Sequence, residues 1–534
     1  MHQQGTIPRR VAGRWARSRA SVPRIVGALM AALVLATASP YGARADETAA
    51  GGLSSSDRAT LTDYARTTWA SFVAMTDETT GLPADALGTD GSRSVQTSTT
   101  NIGAYMWSAL VAERLGFIDH AELVARLDQT ITTLEGMETY ADTGQYYNWY
   151  DHTTGAKLTV WPPTGEPITP ILSSVDNGWL ATALHLVSQS VPGDVGARAG
   201  ALFDGMNFGF YYRPEVNRIL FHFAPDTGAA PCCYDTIVSE SRIASYLGIA
   251  KGEIPPKHYF GAWRSFPETC DWSWQETQPV GFHTSYLGVN VFEGAYEYTD
   301  GIYEGDPFRV VPGWGGSMFE ALMPALFVPE EQWAPRSWAV NHPLTVLAQI
   351  DHGMNVAQYG YWGFSPANIP EGGYNVWGVD AIGMNPLGYP SNEDNTFVDH
   401  GFGDCPGREP QPDPPPEAYT NGVVTPHAAF LALRWAPQAT MDNLANLAAD
   451  FEGMYDGWGF HDSVNVDTGA VSQFYLSLDQ GIIMAAIGNA LKKDMLRDAF
   501  ATHEIKASLR PVMGMETFNA GPRDRIDDLK GPIE

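Results

Sequence analysis

Apolar and polar residues alternate with the period of amphipathic helices over most of the chain from residue 55 onward. Apolar positions recur every three to four residues, and long loops rich in aromatic residues, glycine and proline separate the periodic segments. Residues 146–151 are too aromatic and too broken for a helix, so we expect a strand or loop there. The helices predicted from the pattern are 56–75, 102–115, 120–137, 179–191, 195–208, 235–255, 342–352, 425–434, 440–452 and 480–492.

This pattern predicts an all-α fold in one large domain, because no linker separates two regions of different composition. The predicted domain is 56–500, after a short segment 46–55 and before a C-terminal tail 501–534. About twelve helices in sequential pairs, with long loops on one side and a few short β-strands, suggest an (α/α)6 toroid. No short repeat is present, which argues against an open solenoid. Such a barrel has a central cleft where acids from different helices can meet.

Residues 1–45 have the features of a secretory signal peptide. Six arginines precede the largely apolar run 25–36, and small residues at Ala43 and Ala45 suit cleavage after Ala45. The apolar run is too short for a mature anchor, and no later stretch approaches the roughly 20 apolar residues that span a bilayer. We therefore expect an exported protein without a membrane anchor, either extracellular or periplasmic.

Charge and aromatic content narrow the class of partner. The net charge is −29, and removing an arginine-rich leader without acids makes the remaining chain more acidic still. This argues against nucleic acid and anionic membranes as partners. Aromatic residues make up 12% of the chain and could stack on sugar rings, although most of them must pack in the core. We expect a monomer that binds a polysaccharide or oligosaccharide.

Four cysteines in an exported chain suggest two disulfides. Because a bridge between neighbours would be strained, we expect Cys232 and Cys233 each to pair with one of Cys270 and Cys405. The histidines are scattered and lack ligand spacing, so neither a metal site nor a cofactor is predicted. The proline-rich acidic stretch 404–417 is interpreted as a surface insertion.

Glu240 is the first of several acids in unexpected places. If 235–255 is one helix, Glu240 lies on the apolar face with Ile243, Ala244 and Leu247. A carboxylate on a buried face must be paired or protonated, and a protonated carboxyl can serve as a general acid. The alternative is that Glu240 pairs with an arginine and only braces the fold.

Three more acids stand in comparable positions. Glu320 interrupts the apolar run 314–324. If a helix begins at Asp479, this residue lies on the same helix face as Ile482. Asp479 could equally be a helix N-cap. Asp176 belongs to an Asp-Asn-Gly turn and could also be only a cap. The pattern thus leaves catalytic and capping roles open for these residues.

Seven motifs occur in one order along the chain and together resemble a known family. They are similar to the glucoamylase-like domain of endo-β-1,2-glucanases, glycoside hydrolase family 144, and to the cyclising domain of cyclic β-1,2-glucan synthases, over roughly residues 56–500. The motifs are Thr100-Asn101-Ile102-Gly103, Val175-Asp176-Asn177-Gly178-Trp179-Leu180, Ser239-Glu240-Ser241-Arg242, Met318-Phe319-Glu320-Ala321-Leu322-Met323-Pro324, Tyr361-Trp362-Gly363-Phe364-Ser365, Gly459-Phe460-His461-Asp462-Ser463-Val464-Asn465 and Tyr475-Leu476-Ser477-Leu478-Asp479-Gln480-Gly481.

The resemblance implies an (α/α)6 barrel that hydrolyses internal β-1,2-glucosidic bonds with inversion. It implies Glu240 as general acid and Asp479 as general base, with Glu320 as a rival catalytic residue because its segment is shared with the synthases. Rival functions are hydrolysis or transglycosylation of another cell-surface glycan, or glycan binding without catalysis. The candidate substrate-binding residues are Asp176, Trp179, Arg242, Trp149, Trp314, Trp362 and His283, with Trp107 and Trp377 as further stacking candidates.

Overall fold

The computed structural model of the chain describes residues 52–266, 279–298, 307–384 and 422–522. The expected leader, Cys270, Cys405 and the stretch 404–417 lie outside these ranges. The described α-helices are α1 Ser55–Met75, α2 Thr99–Leu115, α3 His120–Gly136, α4 Ser174–Ser190, α5 Asp194–Gly205, α6 Arg242–Ala250, α7 Met318–Leu322, α8 Glu330–Trp333, α9 Trp338–Asp351, α10 Pro426–Leu431, α11 Pro437–Asp450, α12 Ser477–Leu491, α13 Met495–Phe500 and α14 His503–Met513.

Short strands lie in the segments between helices. They form antiparallel pairs, except for the parallel pair β13–β16, and the described part of the largest sheet has the order β10-β11-β12-β23. The strands are β1 Ala86–Gly88, β2 Gln96–Ser98, β3 Thr139–Tyr140, β4 Gln145–Tyr146, β5 Trp149–Asp151, β6 Leu172–Ser173, β7 Tyr212–Arg213, β8 Arg218–Ile219, β9 His222–Phe223, β10 Val280–Tyr286, β11 Val289–Tyr298, β12 Phe308–Val310, β13 Gly313–Trp314, β14 Ala367–Asn368, β15 Tyr374–Asn375, β16 Gly383–Met384, β17 Val423–Val424, β18 Tyr455–Asp456, β19 Gly459–Phe460, β20 Val464–Asn465, β21 Ala470–Val471, β22 Phe474–Leu476 and β23 Gly521–Pro522.

The helices divide into central and peripheral ones. Helices α2, α4 and α12 are buried along almost their whole length, as expected of helices that are apolar on every side. Helix α2 packs against α4 and α12, α4 also packs against α6, and α10 packs against α12 and α7. Helices α3, α5 and α11 bury one face only and lie outside this central group. The predicted helical fold with a few short strands is confirmed.

Glycine allows the central helices to approach closely. A Cβ atom on Gly481 of α12 would lie 2.5 Å from the Cβ atom of Ala104 on α2. The absence of that atom lets the Trp107 indole N–H reach the Gly481 carbonyl oxygen at 2.9 Å. Trp107 is completely buried here and packs against Trp179 and Phe327. It is therefore a packing residue and not a sugar-stacking surface.

The predicted helix 235–255 is the largest error in the secondary structure, because α6 begins only at Arg242. The backbone before it is hydrogen-bonded to other segments, which prevents a helical ladder. Trp263 N–H donates to the Asp235 carbonyl oxygen at 2.5 Å, and Glu240 N–H donates to a carboxylate oxygen of Glu320 at 2.7 Å. Glu240 thus lies in a turn two residues before the helix.

The expected disulfide pairing is also wrong for two cysteines. Cys232 and Cys233 are joined to each other.

The C-terminal segment packs into the same core. Helix α14 contacts α6 and buries Leu509 and Met513. Beyond it, the completely buried Glu516 accepts a hydrogen bond from Arg264 at 2.6 Å. A domain boundary at residue 500 would therefore cut through packed structure. No helix in the described ranges is long and apolar enough to cross a membrane.

Candidate active site

The first turns of the central helices present polar side chains at one recurring position. Ser98, Ser173 and Ser317 each cap a helix by accepting the N–H of the third helical residue. That third residue is polar in every case. The third residues of α2, α4, α7 and α12 are Asn101, Asp176, Glu320 and Asp479.

Glu240 is held by one strong hydrogen bond in a partly exposed position. The Trp179 indole N–H donates to Glu240 Oε2 at 2.5 Å. Trp179 itself is completely buried, so its predicted role as a sugar-stacking surface is wrong and its observed contact is with the candidate acid. Burial raises the pKa of Glu240 well above its ordinary value, and the nearby negative charge of Glu320 raises it further. Both effects favour the protonated form of Glu240.

Glu320 supports the turn that contains Glu240. Its carboxylate accepts the Glu240 backbone N–H at 2.7 Å, and its own N–H is bound by the Ser317 cap at 3.1 Å. Burial raises the pKa of Glu320 to about 7, against the lowering effect of the hydrogen bond from Glu240. The two glutamates form a coupled pair in which one negative charge disfavours another.

Arg242 is the clearest correction among the predicted substrate-binding residues. Its guanidinium pairs with Glu330 at 2.7 and 3.0 Å and donates to the carbonyl oxygens of Ser239, Glu320 and Ala321 at 2.6 to 2.9 Å. All five donors are thus engaged, and the side chain is only 3% exposed. Arg242 braces the loop before α6 against α7 and has no donor left for a substrate.

Asp479 lies at the start of α12 beside a second aspartate. It is 4% exposed and Asp462 is 2% exposed. Burial raises the pKa of Asp479 well above its ordinary value, and the charge of Asp462 raises it further. A general base must be ionised, but the structure places a like charge against Asp479. The ionisation of Asp479 therefore depends on Asp462.

A ring nitrogen of His427 lies near the same pair, and one ligand atom from each of the three residues falls within 4.8 Å of the others. This spacing alone does not make them metal ligands. His427 Nδ1 already hydrogen-bonds Thr425 Oγ1 at 2.7 Å, and burial lowers the pKa of His427 to about 3. His427 is therefore a neutral wall residue beside Asp479.

Asp176 belongs to a hydrogen-bonded group at the start of α4. Thr100 Oγ1 donates to Asp176 Oδ1 at 2.6 Å. With the Asn148 amide oriented to satisfy both its ends, its nitrogen donates to Asp176 Oδ2 at 2.8 Å and its oxygen accepts from the Trp149 indole at 3.0 Å. Burial raises the pKa of Asp176. The residue is more than a cap, since Ser173 occupies that position.

Tyr374 lies near several of the acids. It lies on strand β15, and its side chain is 58% exposed. Crowding by the surrounding protein raises its pKa well above the ordinary value, and the charges of Asp479 and Glu240 add to this effect. Both candidate catalytic acids therefore lie within electrostatic reach of one exposed tyrosine.

Most of the predicted stacking tryptophans are buried instead. Trp314 is 7% exposed, and Trp362 and Trp377 are 2% exposed, so they pack in the core. Trp149 remains partly exposed, with its ring edge-on to Trp161 at 5.0 Å between centroids. It is the predicted tryptophan that keeps surface next to the acids.

His283 lies on the β10–β11 hairpin. It is exposed on β10, with its ring 5.0 Å from that of Phe292 across the β10–β11 hairpin.

Several residues of the site were missed by the sequence analysis. Asp462 stood inside one of the recognised motifs but was not singled out, because its neighbours show no helical period. Asp85 has no sequence signal, yet it accepts the Asn101 side-chain N–H at 2.7 Å and adds to the field at Asp479. Tyr374 lies on the two-residue strand β15 and Asn148 lies in a loop, and both segments are too short or irregular to show a period.

Comparison with known proteins places the fold. Residues 280–504 match a family model described as "Putative glucoamylase", and residues 63–197 match a family described as a protein of unknown function. The chain is 23% identical to the cyclic β-(1,2)-glucan synthase NdvB of Rhizobium meliloti, over 82% of this chain. It spans only 18% of that relative's length.

Two solved structures share the fold. An endo-β-1,2-glucanase from Chitinophaga pinensis, in complex with sophorotriose and glucose, has a TM-score of 0.59 and 16% identity, covering 86% of this chain and 98% of that one. An endo-β-1,2-glucanase from Talaromyces funiculosus, in complex with sophorose, has a TM-score of 0.59 and 14% identity, covering 85% and 89%. The resemblance stated from the motifs is confirmed, and at this level of identity it establishes a common fold.

Proposed function

We propose that this chain is a glycoside hydrolase that cleaves β-1,2-glucosidic bonds inside a glucan chain, with inversion at the anomeric carbon. In this proposal the central helices α2, α4, α6, α7, α10 and α12 form the inner ring of an (α/α)6 toroid, and the acids at their first turns line its cleft. The chain is exported after loss of residues 1–45. The support is the convergence of these acids together with the fold shared with two endo-β-1,2-glucanases.

The observation that carries the proposal is the state of Glu240. Its side chain is partly exposed, its pKa is raised by burial and by Glu320, and the indole of Trp179 fixes one carboxyl oxygen. A protonated carboxyl with one oxygen anchored can present the other to a glycosidic oxygen. Glu240 is therefore the general acid, and it protonates the leaving group as the bond breaks.

Asp479 is the general base in the same scheme. As the base, Asp479 must activate a water on the opposite face of the sugar from the acid. In inverting enzymes this requires the two carboxyl groups to lie about 6.5–9.5 Å apart. The charges of both Asp479 and Glu240 act on the pKa of Tyr374, which supports the placement of these two acids around one site. A substrate hydroxyl or a short chain of waters could carry the proton between the sugar and the base.

The remaining site residues bind or position the substrate. Asp176 offers a carboxyl held by Thr100 and Asn148, which suits hydrogen bonding to sugar hydroxyls. Trp149 and Tyr374 supply the partly exposed aromatic faces beside it. Glu320 acts through Glu240, because its carboxylate is bound to the backbone of that residue.

Transglycosylation is the second candidate. The observation in its favour is the 23% identity to a cyclic β-(1,2)-glucan synthase, over most of this chain. In that reaction a sugar hydroxyl replaces water as the acceptor, and cyclic or lengthened products form. A binding protein without catalysis is disfavoured, since neutral sugars do not require several carboxyls with raised pKa values.

The test is incubation of purified residues 46–534 with linear β-1,2-glucan, beside β-1,3-, β-1,4-, β-1,6- and α-linked glucans. Short linear β-1,2-oligosaccharides from the wild type would support hydrolysis, and cyclic or longer products would support transfer. The initial anomer, read by proton NMR, separates inversion from retention. Cleavage of another glucan alone would contradict the substrate, and binding without cleavage of any glucan would contradict the enzyme.

A further inference from the structure

Two buried carboxyl oxygens, one on Asp462 and one on Asp479 in the first turn of α12, lack a hydrogen-bond donor in the described structure. Asp462 Oδ1 and Asp479 Oδ2 are inaccessible to water and have no partner in the described structure. Both residues are more than nine-tenths buried, and their carboxyl groups lie together in one cluster. Two ionised carboxylates in this arrangement would repel each other, and each oxygen would forfeit its hydration.

The neighbouring groups do not supply the missing donor. The backbone N–H of Asn368 is directed to the other oxygen of Asp462, Oδ2, at 2.6 Å. His427 Nδ1 is 3.4 Å from Asp479 Oδ2 but makes its hydrogen bond with Thr425.

The other titratable groups around the pair do not fill the gap either. Asp85 is a further acid that adds negative charge. His461, next in the chain to Asp462, directs both ring nitrogens away, to the Ser472 carbonyl oxygen and to the Tyr475 hydroxyl. Tyr374 lies near the pair, yet neither orphaned oxygen accepts a bond from it. A proton held between the two carboxyls is the simplest donor that satisfies both.

We infer that Asp462 and Asp479 share one proton, and that Asp462 is a positioning residue that keeps Asp479 Oδ2 occupied so that Oδ1 faces the reacting water. The role of Asp479 as base rests on the proposed function, whereas the shared proton rests on the geometry alone. Aspartates that share a proton titrate as a pair and not as separate groups. When the base accepts a proton from water, the shared proton stays between the two residues.

Asp462 also anchors the loop that carries Tyr374. Its Oδ2 accepts the N–H of Asn368 on β14, and Asn368 pairs with Tyr374 across the β14–β15 hairpin. The neighbouring Ser463 hydroxyl donates to the Asn368 carbonyl oxygen. Asp462 therefore lies next to Asp479, the proposed base, and also binds the β14–β15 hairpin that carries Tyr374.

The substitution Asp462→Asn separates these roles. The amide oxygen can still accept the Asn368 N–H, and the amide nitrogen can donate to Asp479 Oδ2 in place of the shared proton. The variant keeps the loop anchored but removes one ionisable group. Asp479 then loses a neighbouring negative charge and gains a permanent donor, and both changes favour its ionised form.

The first measurement is the infrared C=O band of protonated carboxylic acids, recorded from acidic to alkaline pH with ¹³C-labelled aspartate. We expect wild type to keep a protonated aspartate signal at neutral pH that both Asp462→Asn and Asp479→Asn lose. Asp450→Asn is the matched control, because Asp450 is exposed on α11 and bound only by the Tyr361 hydroxyl among the described contacts. Persistence of the full signal in Asp462→Asn would overturn the shared proton.

The second measurement is the pH profile of kcat/KM on the glucan that the wild type cleaves. We expect Asp462→Asn to move the acidic limb to lower pH by about one unit or more, the usual effect of removing a close like charge. If the acidic limb of Asp462→Asn stayed at the wild-type pH or moved to higher pH, the positioning role of Asp462 would be overturned.

Each outcome separates the two proposals. If the wild type cleaves no glucan, the proposed function fails while the infrared result still decides whether the proton is shared.

The third measurement is the melting temperature with added Ca²⁺, Mg²⁺, Mn²⁺ or Zn²⁺. A rise in wild type that Asp462→Asn lacks would overturn the inference, because a cation would then occupy the place of the proton.

Discussion

Glu240 and Glu330 lie near the same arginine, yet the pKa values of their carboxyls shift in opposite directions. Burial would raise the pKa of Glu330, but the charge of Arg242 and the hydrogen bonds from His342 and Arg242 lower it to about 2. Burial also raises the pKa of Glu240, and the charge of the acid Glu320 raises it further. Burial alone does not decide the direction of a carboxyl's pKa shift. The direction also depends on the charge and hydrogen bonding of the groups next to its oxygens.

The same contrast separates a bracing region from a reacting one. In the bracing region Arg242 pairs with Glu330, and every guanidinium donor of Arg242 is occupied. In the cleft no described cation contacts the side chains of Glu240, Asp462 or Asp479. A carboxyl that is kept neutral by its surroundings can exchange a proton with a substrate, whereas one locked to an arginine cannot.

The largest expected effect is on catalysis by Glu240→Gln. Removal of a general acid typically lowers the rate by about 10²–10⁴-fold. We expect such a loss in kcat on β-1,2-glucan, with unfolding by denaturant unchanged or slightly harder, since the amide replaces a carboxyl that is already neutral. A variant with more than a tenth of wild-type kcat would assign the acid elsewhere.

The matching change in the bracing region, Glu330→Gln, should affect folding instead. It leaves Arg242 as an uncompensated buried cation, and breaking such a pair costs about 3–5 kcal/mol of the free energy of unfolding. Urea titration followed by circular dichroism measures this loss. If the variant were as stable as Glu240→Gln, the distinction between the two regions would not hold.

The pH dependence of stability sharpens the comparison. The pKa of Glu330 is lowered to about 2, so its contribution is complete above about pH 4.5 and is lost as pH falls toward 2. Glu320 has the opposite sign, because its pKa is raised to about 7 and its ionisation destabilises the fold as pH rises from about 4.5 through 7. We expect Glu320→Gln to flatten the decline in melting temperature over the upper range only. A flattened acidic side would contradict this assignment.

The smallest effect is expected from Trp179→Phe. The change removes the N–H that lowers the pKa of Glu240 and fixes Oε2. We predict about a tenfold loss in kcat, the size of one hydrogen bond, and a basic limb of the pH profile moved to higher pH. Trp107→Phe is the control, since that indole donates to a backbone carbonyl oxygen and not to an acid. An equal shift of the limb in both variants would point to loosened packing.

Periodicity in the sequence determined most helices and the helical fold class. These features follow from local patterns, since a helix reveals its buried face every three to four residues. The predicted starts of α1 and α3 agree with the structure within a residue or two. The motifs also led to the resemblance that the comparisons confirm.

Only the tertiary structure decided which of these residues could react. Local sequence cannot show that all the N–H donors of Arg242 are bonded to Glu330 and to backbone oxygens. It also cannot show that Trp179 is buried and donates its indole N–H to Glu240. It also could not bring Asp462 to Asp479, because the contact joins a loop to a helix start. Ionisation depends on which groups meet in space, and that information is absent from the spacing of residues along the chain.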